Sequence, residues 1–127
     1  MTTQVRTGDL IGGALDWAVA KAVGVPVRLE PPCYGLPWRP YRNDLDRSRY
    51  NPSVNWAIGG ALIDQHCKVF GLHRGHAEWR AFAYRPYLDA RLQRLAGGPT
   101  VLIAFCRALV LVHLGDMINI PAELSPA

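Results

Sequence analysis

Cysteine and histidine side chains around the middle of the chain could bind a metal ion. Zinc prefers four such ligands in a tetrahedral arrangement. Two cysteines and three histidines could supply them: Cys33, His66, Cys67, His73 and His76. Their spacing contains no Cys-x-x-Cys pair, and a four-ligand site would need one ligand from a distant loop. We therefore expect solvated or structural roles for these residues, and neither a metal nor another cofactor.

Two other kinds of side chain could take part in catalysis. Cys106 lies in an apolar stretch beside Phe105, and burial there raises the pKa of a thiol and makes it inert. Asp16 and Asp64 could act as acid and base if the fold brought them together, but nothing in the sequence does so. No glycine-rich loop carries the lysine that phosphate binding requires. The sequence therefore predicts no catalytic residue.

An arginine-rich, aromatic segment at residues 38–50 has the composition of a nucleic-acid contact. Arginines neutralise phosphates and aromatic rings stack on bases. The residues that could do so are Trp38, Arg39, Tyr41, Arg42, Arg47, Arg49 and Tyr50. Asp44 and Asp46 cancel half of this charge, and the net charge of +4 is small and spread along the chain. The alternative, which we favour, is a loop that lies over the core with its charges in water.

Two tryptophans, each preceded by a short polar residue, could line a binding pocket. They are Trp17 after Asp16 and Trp56 after Asn55. A functional interpretation brings all four side chains together as a polar and aromatic pocket. The structural interpretation buries both indoles and lets Asp16 and Asn55 bond nearby backbone N–H groups as caps or turns. We favour the structural interpretation, which predicts that Trp56 is buried.

Two helices are predicted to carry most of the core. The first spans residues 8–23, with Thr7 as its N-cap and Gly24 as the residue that ends it. The second spans residues 99–114, opens at a proline and stops at Gly115. The periodic apolar residues of both segments indicate helices rather than strands.

Antiparallel strands are expected to pack against these helices. Alternating apolar residues predict a hairpin from residues 65–72 and 77–84, with edge strands elsewhere. Residues 85–98 could be a loop or a weak helix. Residues 31–52 contain five of the ten prolines and predict one long loop. Helices and hairpin are segregated along the chain, which predicts a single α+β domain over residues 1–127.

Two shorter elements complete the predicted fold. Residues 25–30 alternate as a strand, and Pro26 places that strand at a sheet edge. Asn51 is a suitable N-cap for a short helical segment that Gly59 or Gly60 would end.

The cysteine count and the apolar runs limit where the protein works. Three cysteines are an odd number, and the first residues contain no apolar core of a secretion signal. The longest apolar run, residues 101–112, is interrupted by Arg107 and is shorter than the roughly 20 residues that a membrane-spanning helix needs. We expect reduced thiols, no membrane span and a cytoplasmic location.

Three stretches of the chain together match a known pattern: "LDWAVAKAVG" at 15–24, "YNPSVNWAIGGALID" at 50–64 and "LIAFCRALVLVHLGDMINIPAEL" at 102–124. In order, spacing and text they resemble the phage NinX-like family of small proteins. The resemblance implies a bacteriophage or prophage protein in the bacterial host cell, from a family without an established biochemical activity. Two positions depart from the family pattern, with Asn55 where aspartate is usual and Met117 where an acidic residue is usual.

We rank three functions on these observations. The first is a phage-derived accessory protein that binds another protein, the second a nucleic-acid-binding module built on residues 38–50, and the third a small enzyme. Helix 99–114 is apolar nearly all the way round, whereas a surface helix needs one apolar face. The surplus predicts a homodimer with this helix at or near its two-fold interface.

Overall fold

The computed structural model of the chain describes residues 1–73, 78–86 and 89–125. Within these residues the chain forms three α-helices and seven β-strands, so the predicted α+β class is confirmed. In chain order the elements are β1 (Thr2–Arg6), α1 (Gly12–Val23), β2 (Val27–Glu30), β3 (Arg39–Arg42), α2 (Trp56–His66), β4 (Cys67–His73), β5 (Glu78–Arg85), β6 (Asp89–Gly98), α3 (Val101–Leu114) and β7 (Met117–Pro121).

The strands pair in three antiparallel sheets, where the sequence predicted one small sheet. β1 pairs with β7, and β2 pairs with β3. The largest sheet has the order β4–β5–β6. Because β1 and β7 are remote in sequence, their pairing depends on the packing of the helices between them and leaves no local signal.

The predicted hairpin is confirmed as β4 and β5, but the interpretation of residues 85–98 as a loop or weak helix is wrong. Most of that segment is β6, which pairs with β5. The pairing buries Ala96 against α3 and leaves Leu95 exposed on the other side. The turn expected between β4 and β5 falls on residues 74–77, which lie outside the described residues.

The expectation of one long loop at residues 31–52 is wrong in part. Residues within it form β3, which pairs with the predicted strand β2 so that Pro40 lies opposite Leu29. A proline is tolerated there because this two-stranded sheet consists only of edge strands. The resulting hairpin packs on α1, and Pro40 is fully buried.

Helix α3 is the centre of the core. It packs against β5 and β6 on one side and α1 on another. Ten of its fourteen residues are buried, and Phe105, Leu109 and Val110 have no exposed surface. Alanines Ala81 and Ala83 face the helix from β5 and allow a close approach. None of the helices in the part of the chain that the structure describes is long and apolar enough to cross a membrane.

This burial removes the argument on which the predicted two-fold interface at α3 was based, and the homodimer through α3 stays a prediction. The apolar faces of the helix are covered by the sheet and by α1 of the same chain. The sequence suggested a surplus because the third strand of the sheet had not been recognised as a cover. The buried apolar residues of α3 therefore do not require a second copy to cover them.

The ends of α1 and α3 show which capping predictions hold. Gly24 ends α1 with a left-handed φ of 79°, and Gly115 ends α3, as predicted. Thr7 is not an N-cap, because α1 begins at Gly12 and the Thr7 hydroxyl instead donates to the carbonyl of Gly115 at 2.6 Å. Helix α3 begins after Thr100, whose hydroxyl accepts a hydrogen bond from the main-chain N–H of Ile103 at 3.1 Å.

Helix α2 is longer than predicted and begins later. Its N-cap is Asn55 rather than Asn51, and it continues through both glycines to His66. Gly59 lies where α2 crosses the preceding turn, and a Cβ atom there would approach the carbonyl oxygen of Pro52 to 2.5 Å. The glycine therefore permits close packing and does not end the helix.

Candidate functional site

A buried carboxylate joins the first two of the three family-like blocks. Asp16, on α1, is 3% exposed, and its Oδ1 accepts a hydrogen bond from the main-chain N–H of Ser53 at 2.8 Å. Burial raises the pKa of Asp16 to about 6, although Ser53 and the nearby positive charge of Arg49 lower it in part. The Asp16 carboxylate satisfies the buried N–H group of Ser53 and thereby holds the turn before α2 against α1.

Two further ionisable groups surround this carboxylate, and both are held neutral. Tyr50 is 2% exposed, and burial raises its pKa to about 12. Cys106, from the third family-like block on α3, is fully buried, and burial raises the pKa of its thiol well above the usual range. A thiolate would also be repelled by the Asp16 carboxylate. The predicted inertness of Cys106 follows from this environment.

The four residues of the expected polar and aromatic pocket do not form one. Asp16 points into the core, whereas Trp56 is 58% exposed and lines a small cavity with Ser53, Thr100 and other residues of that surface. Trp17 is half-buried on α1, with the Lys21 ammonium 5.3 Å from its ring centre. The prediction that Trp56 is buried is wrong, since Trp56 is the first residue of a helix that lies on the surface.

Asn55 has the capping role that the structural interpretation gave it. Its Oδ1 accepts a hydrogen bond from the main-chain N–H of Ala57 at 2.9 Å, and its Nδ2 donates to Oδ1 of Asn51 at 3.2 Å. An N-cap needs a side-chain oxygen, which asparagine and aspartate both provide. The departure from the family pattern at this position therefore preserves the cap.

Replacing Trp56 by alanine is expected to lower the free energy of unfolding by less than about 1 kcal/mol, because exposed side chains contribute little to stability. Urea denaturation of the variant measures this change. A loss in the range of about 3 to 5 kcal/mol, which is typical of buried aromatic residues, would show that Trp56 is packed in the core.

One arginine of the arginine-rich segment is buried inside the protein. Arg39 is 6% exposed, donates to the carbonyls of Pro31 and Pro37, and reaches Sγ of Cys33 at 3.4 Å. Its guanidinium also lies 5.5 Å from the ring centre of Tyr41. Such contacts leave Arg39 unavailable for phosphates.

The other residues of the arginine-rich segment differ in their ion pairs and in their exposure to solvent. Arg42 forms an ion pair with Asp44 at 2.7 Å, and Tyr50 is buried. Trp38 and Arg49 are half-buried, and Arg47 is exposed. Trp38 and Tyr50 pack on the core, and the Tyr41 ring lies beside the guanidinium groups of Arg28 and Arg39, which weakens the nucleic-acid hypothesis.

The candidate metal ligands and acid–base pair are dispersed. Cys33 is exposed, and the Cys67 thiol lies near the carbonyl of Val69. His66 packs edge-on against His113, with ring centres 5.9 Å apart, and burial lowers the pKa of both imidazoles. Asp64 is exposed on α2. Over residues 1–73, 78–86 and 89–125, no three potential ligands converge, and His76 lies outside these ranges.

Exposed apolar side chains lie on the face of the β4–β5–β6 sheet that points away from α3. Val69, Phe82 and Leu95 stand in one row across the three strands, at 57%, 36% and 42% exposure. With Gly71 and Arg80 they line a shallow depression of about 380 Å³. We call these five residues the apolar sheet face. No sequence pattern indicates this face, because its row of residues forms only when β6 pairs with β5.

A family model described as "Bacteriophage P22, NinX" matches residues 6–113, which include α1, α2 and nearly all of α3. No curated protein matches the chain. The family match covers most of the chain and confirms the resemblance found in the three sequence blocks. The chain therefore belongs to the phage NinX family.

Proposed function

We propose that this phage NinX-family protein is an accessory protein that acts by binding another protein, and that the apolar sheet face is its binding surface. The single observation that supports this proposal is the exposed row of Val69, Phe82 and Leu95. Contiguous exposed apolar surface is uncommon on soluble domains and marks sites of protein contact.

The surroundings of the row have the character of a protein interface. Phe82 stands on the central strand with an apolar neighbour on each side, as an aromatic anchor does in the middle of a contact region. Arg80 pairs with Glu78 at 3.4 Å and supplies a polar rim. The partner expected here presents apolar side chains at its centre and hydrogen-bonding groups around them.

The buried polar groups support binding rather than catalysis. Asp16, Tyr50 and Cys106 are closed off by the core, and a catalytic group must reach its substrate. The exposed sheet face carries no nucleophile or carboxylate in its row. Binding through apolar contact is what this surface can do chemically.

Capture from a phage-infected or lysogenic host tests the proposal. Tagged wild-type protein should retain a partner that Phe82→Lys loses by at least about tenfold, since a charge at the centre of an apolar contact costs more than 1.4 kcal/mol. Leu45→Lys is the matched control, because Leu45 is fully exposed in the arginine-rich segment. Melting curves verify that both variants fold.

Two results would contradict the proposal. Equal capture by the wild type and Phe82→Lys would exclude the apolar sheet face as the binding surface. Capture that depends on nuclease-sensitive material and falls steeply with salt would indicate nucleic-acid binding by the arginine-rich segment instead.

A further inference from the structure

The two edges of the β4–β5–β6 sheet differ in their protection against pairing. On β6, the edge strand carries the charged residues Arg91 and Arg94, of which Arg94 forms an ion pair with Asp116. On β4, the residues from Val69 to Leu72 are uncharged, and each of them is exposed. Charged side chains protect an edge strand from pairing with another strand, so β4 is the unprotected edge.

We propose that β4 pairs with β4 of a second copy of this chain, antiparallel and about a two-fold axis at Gly71, to form a continuous six-stranded sheet. The proposal goes beyond the proposed function, because it concerns the strand edge rather than the face that meets another protein. The partner of the β4 edge is then a second copy of the same strand.

The sequence of β4 is self-complementary about Gly71. A two-fold axis there places Phe70 opposite Leu72 of the second copy in both directions, which gives two aromatic–aliphatic pairs. Val69 then lies opposite His73 of the second copy, and no like charges meet between residues 69–73 of the two strands. Gly71 is exposed and carries no side chain, so none crowds the two-fold axis.

Lys68, the charged residue of β4, does not oppose this pairing. It lies at the irregularity between Cys67 and Val69, where the register with β5 shifts. Its ammonium group is 4.7 Å from the ring centre of Tyr84 in the same chain. The positive charge is therefore held over the chain's own sheet.

The expected dimer is weak and depends on concentration. A strand of seven residues extends about 23 Å, and one strand edge buries less surface than most stable interfaces. In the dimer the two apolar sheet faces would become neighbours on one side of a single sheet. A partner that contacts both faces would then bind more tightly than one that contacts a single face.

Sedimentation velocity from low micromolar to submillimolar concentration tests the pairing. The wild type should shift from the 14.1 kDa monomer toward twice that mass. Leu72→Lys should stay monomeric, because it opposes an ammonium group to Phe70 of the second copy. Leu92→Lys is the matched control on β6, with a leucine of similar exposure, and should associate like the wild type.

A second variant tests the register. The double variant Phe70→Glu/Leu72→Lys places opposite charges across the two-fold axis, so it should regain the association that Leu72→Lys loses. Circular dichroism verifies that each variant is folded. A wild type that remains monomeric throughout, or a Leu72→Lys variant that associates normally, would overturn the proposal. A folded double variant that stays monomeric would overturn the register at Gly71.

A variant of the central strand distinguishes failure of this proposal from failure of the proposed function. Phe82→Lys changes the central strand, and the edge of β4 stays intact, so that variant should lose its partner while it still dimerises. Conversely, a Leu72→Lys variant that no longer dimerises but still captures the partner would show that dimerisation and partner binding use different surfaces.

Discussion

Replacing Phe105 by alanine is expected to lower the free energy of unfolding by about 3 to 5 kcal/mol, the largest effect of any single truncation considered for this chain. Phe105 is fully buried in the middle of α3, between α1 and the β4–β5–β6 sheet. Its removal loses the transfer free energy of a large aromatic ring and leaves a cavity that the surrounding alanines of β5 cannot fill.

Urea denaturation at neutral pH measures this loss, with Leu114→Ala as the control. Leu114 is the last residue of the same helix and is 41% exposed, so its truncation should cost less than about 1 kcal/mol. A Phe105→Ala variant as stable as the control would show that α3 is not the centre of the core.

Replacing Asp16 by asparagine is expected to change how stability depends on pH. The pKa of Asp16 is raised by burial from 3.8 to about 6 in the folded protein, so the folded state holds this proton more tightly than the unfolded chain. The resulting stabilisation is fully present below pH 3.8 and is lost as the pH rises through about 6. The shift corresponds to about 3 kcal/mol.

Asparagine removes this titration and keeps the acceptor for the Ser53 main chain. Asp16→Asn should therefore be more stable than the wild type by about 1 to 3 kcal/mol at pH 8, and the difference should shrink or reverse at pH 4. Urea denaturation at the two pH values measures it. His66 and His113 titrate in both proteins, and their contributions cancel in the comparison.

The exposed Asp64 on α2 provides the control for this experiment. Asp64→Asn should change the free energy of unfolding by no more than about 0.5 kcal/mol at either pH. A difference between the wild type and Asp16→Asn that is the same at both pH values would mean that the buried carboxyl does not titrate in this range.

Local signals were sufficient for the two main helices and the central hairpin. Gly24 and Gly115 end α1 and α3 where the sequence placed them, because the backbone there requires positive φ. The alternating residues that predicted the hairpin include Ala81 and Ala83, which are buried on one side of β5, and Phe82, which is exposed on the other. These features depend on short spacings, which a single sequence records.

The features that the sequence did not predict depend on tertiary contacts. β6 contains Arg91, Arg94 and two glycines, so its own pattern is weak and only pairing with β5 makes it a strand. Arg39 is buried because the path of the preceding loop brings the carbonyls of Pro31 and Pro37 to its guanidinium. No spacing within the sequence specifies that path.

The same limit applied to the candidate site. Asn55 was expected as a cap, since capping needs only neighbouring backbone groups, and it is one. The burial of Trp56 depends on where α2 lies on the domain, and there the prediction was wrong. The row of Val69, Phe82 and Leu95 joins three strands and has no local signature at all.

Hydroxyl-radical footprinting of the protein, free and with its captured partner, tests most directly whether the apolar sheet face is the binding surface. We expect oxidation of Phe82 and Leu95 to fall on binding, while oxidation of Leu45, in the arginine-rich segment, stays unchanged. All three side chains are exposed in the free chain, so a fall in their oxidation shows that a partner covers them. Protection of Leu45 with undiminished oxidation of Phe82 and Leu95 would contradict the proposal and move the binding surface to residues 38–50.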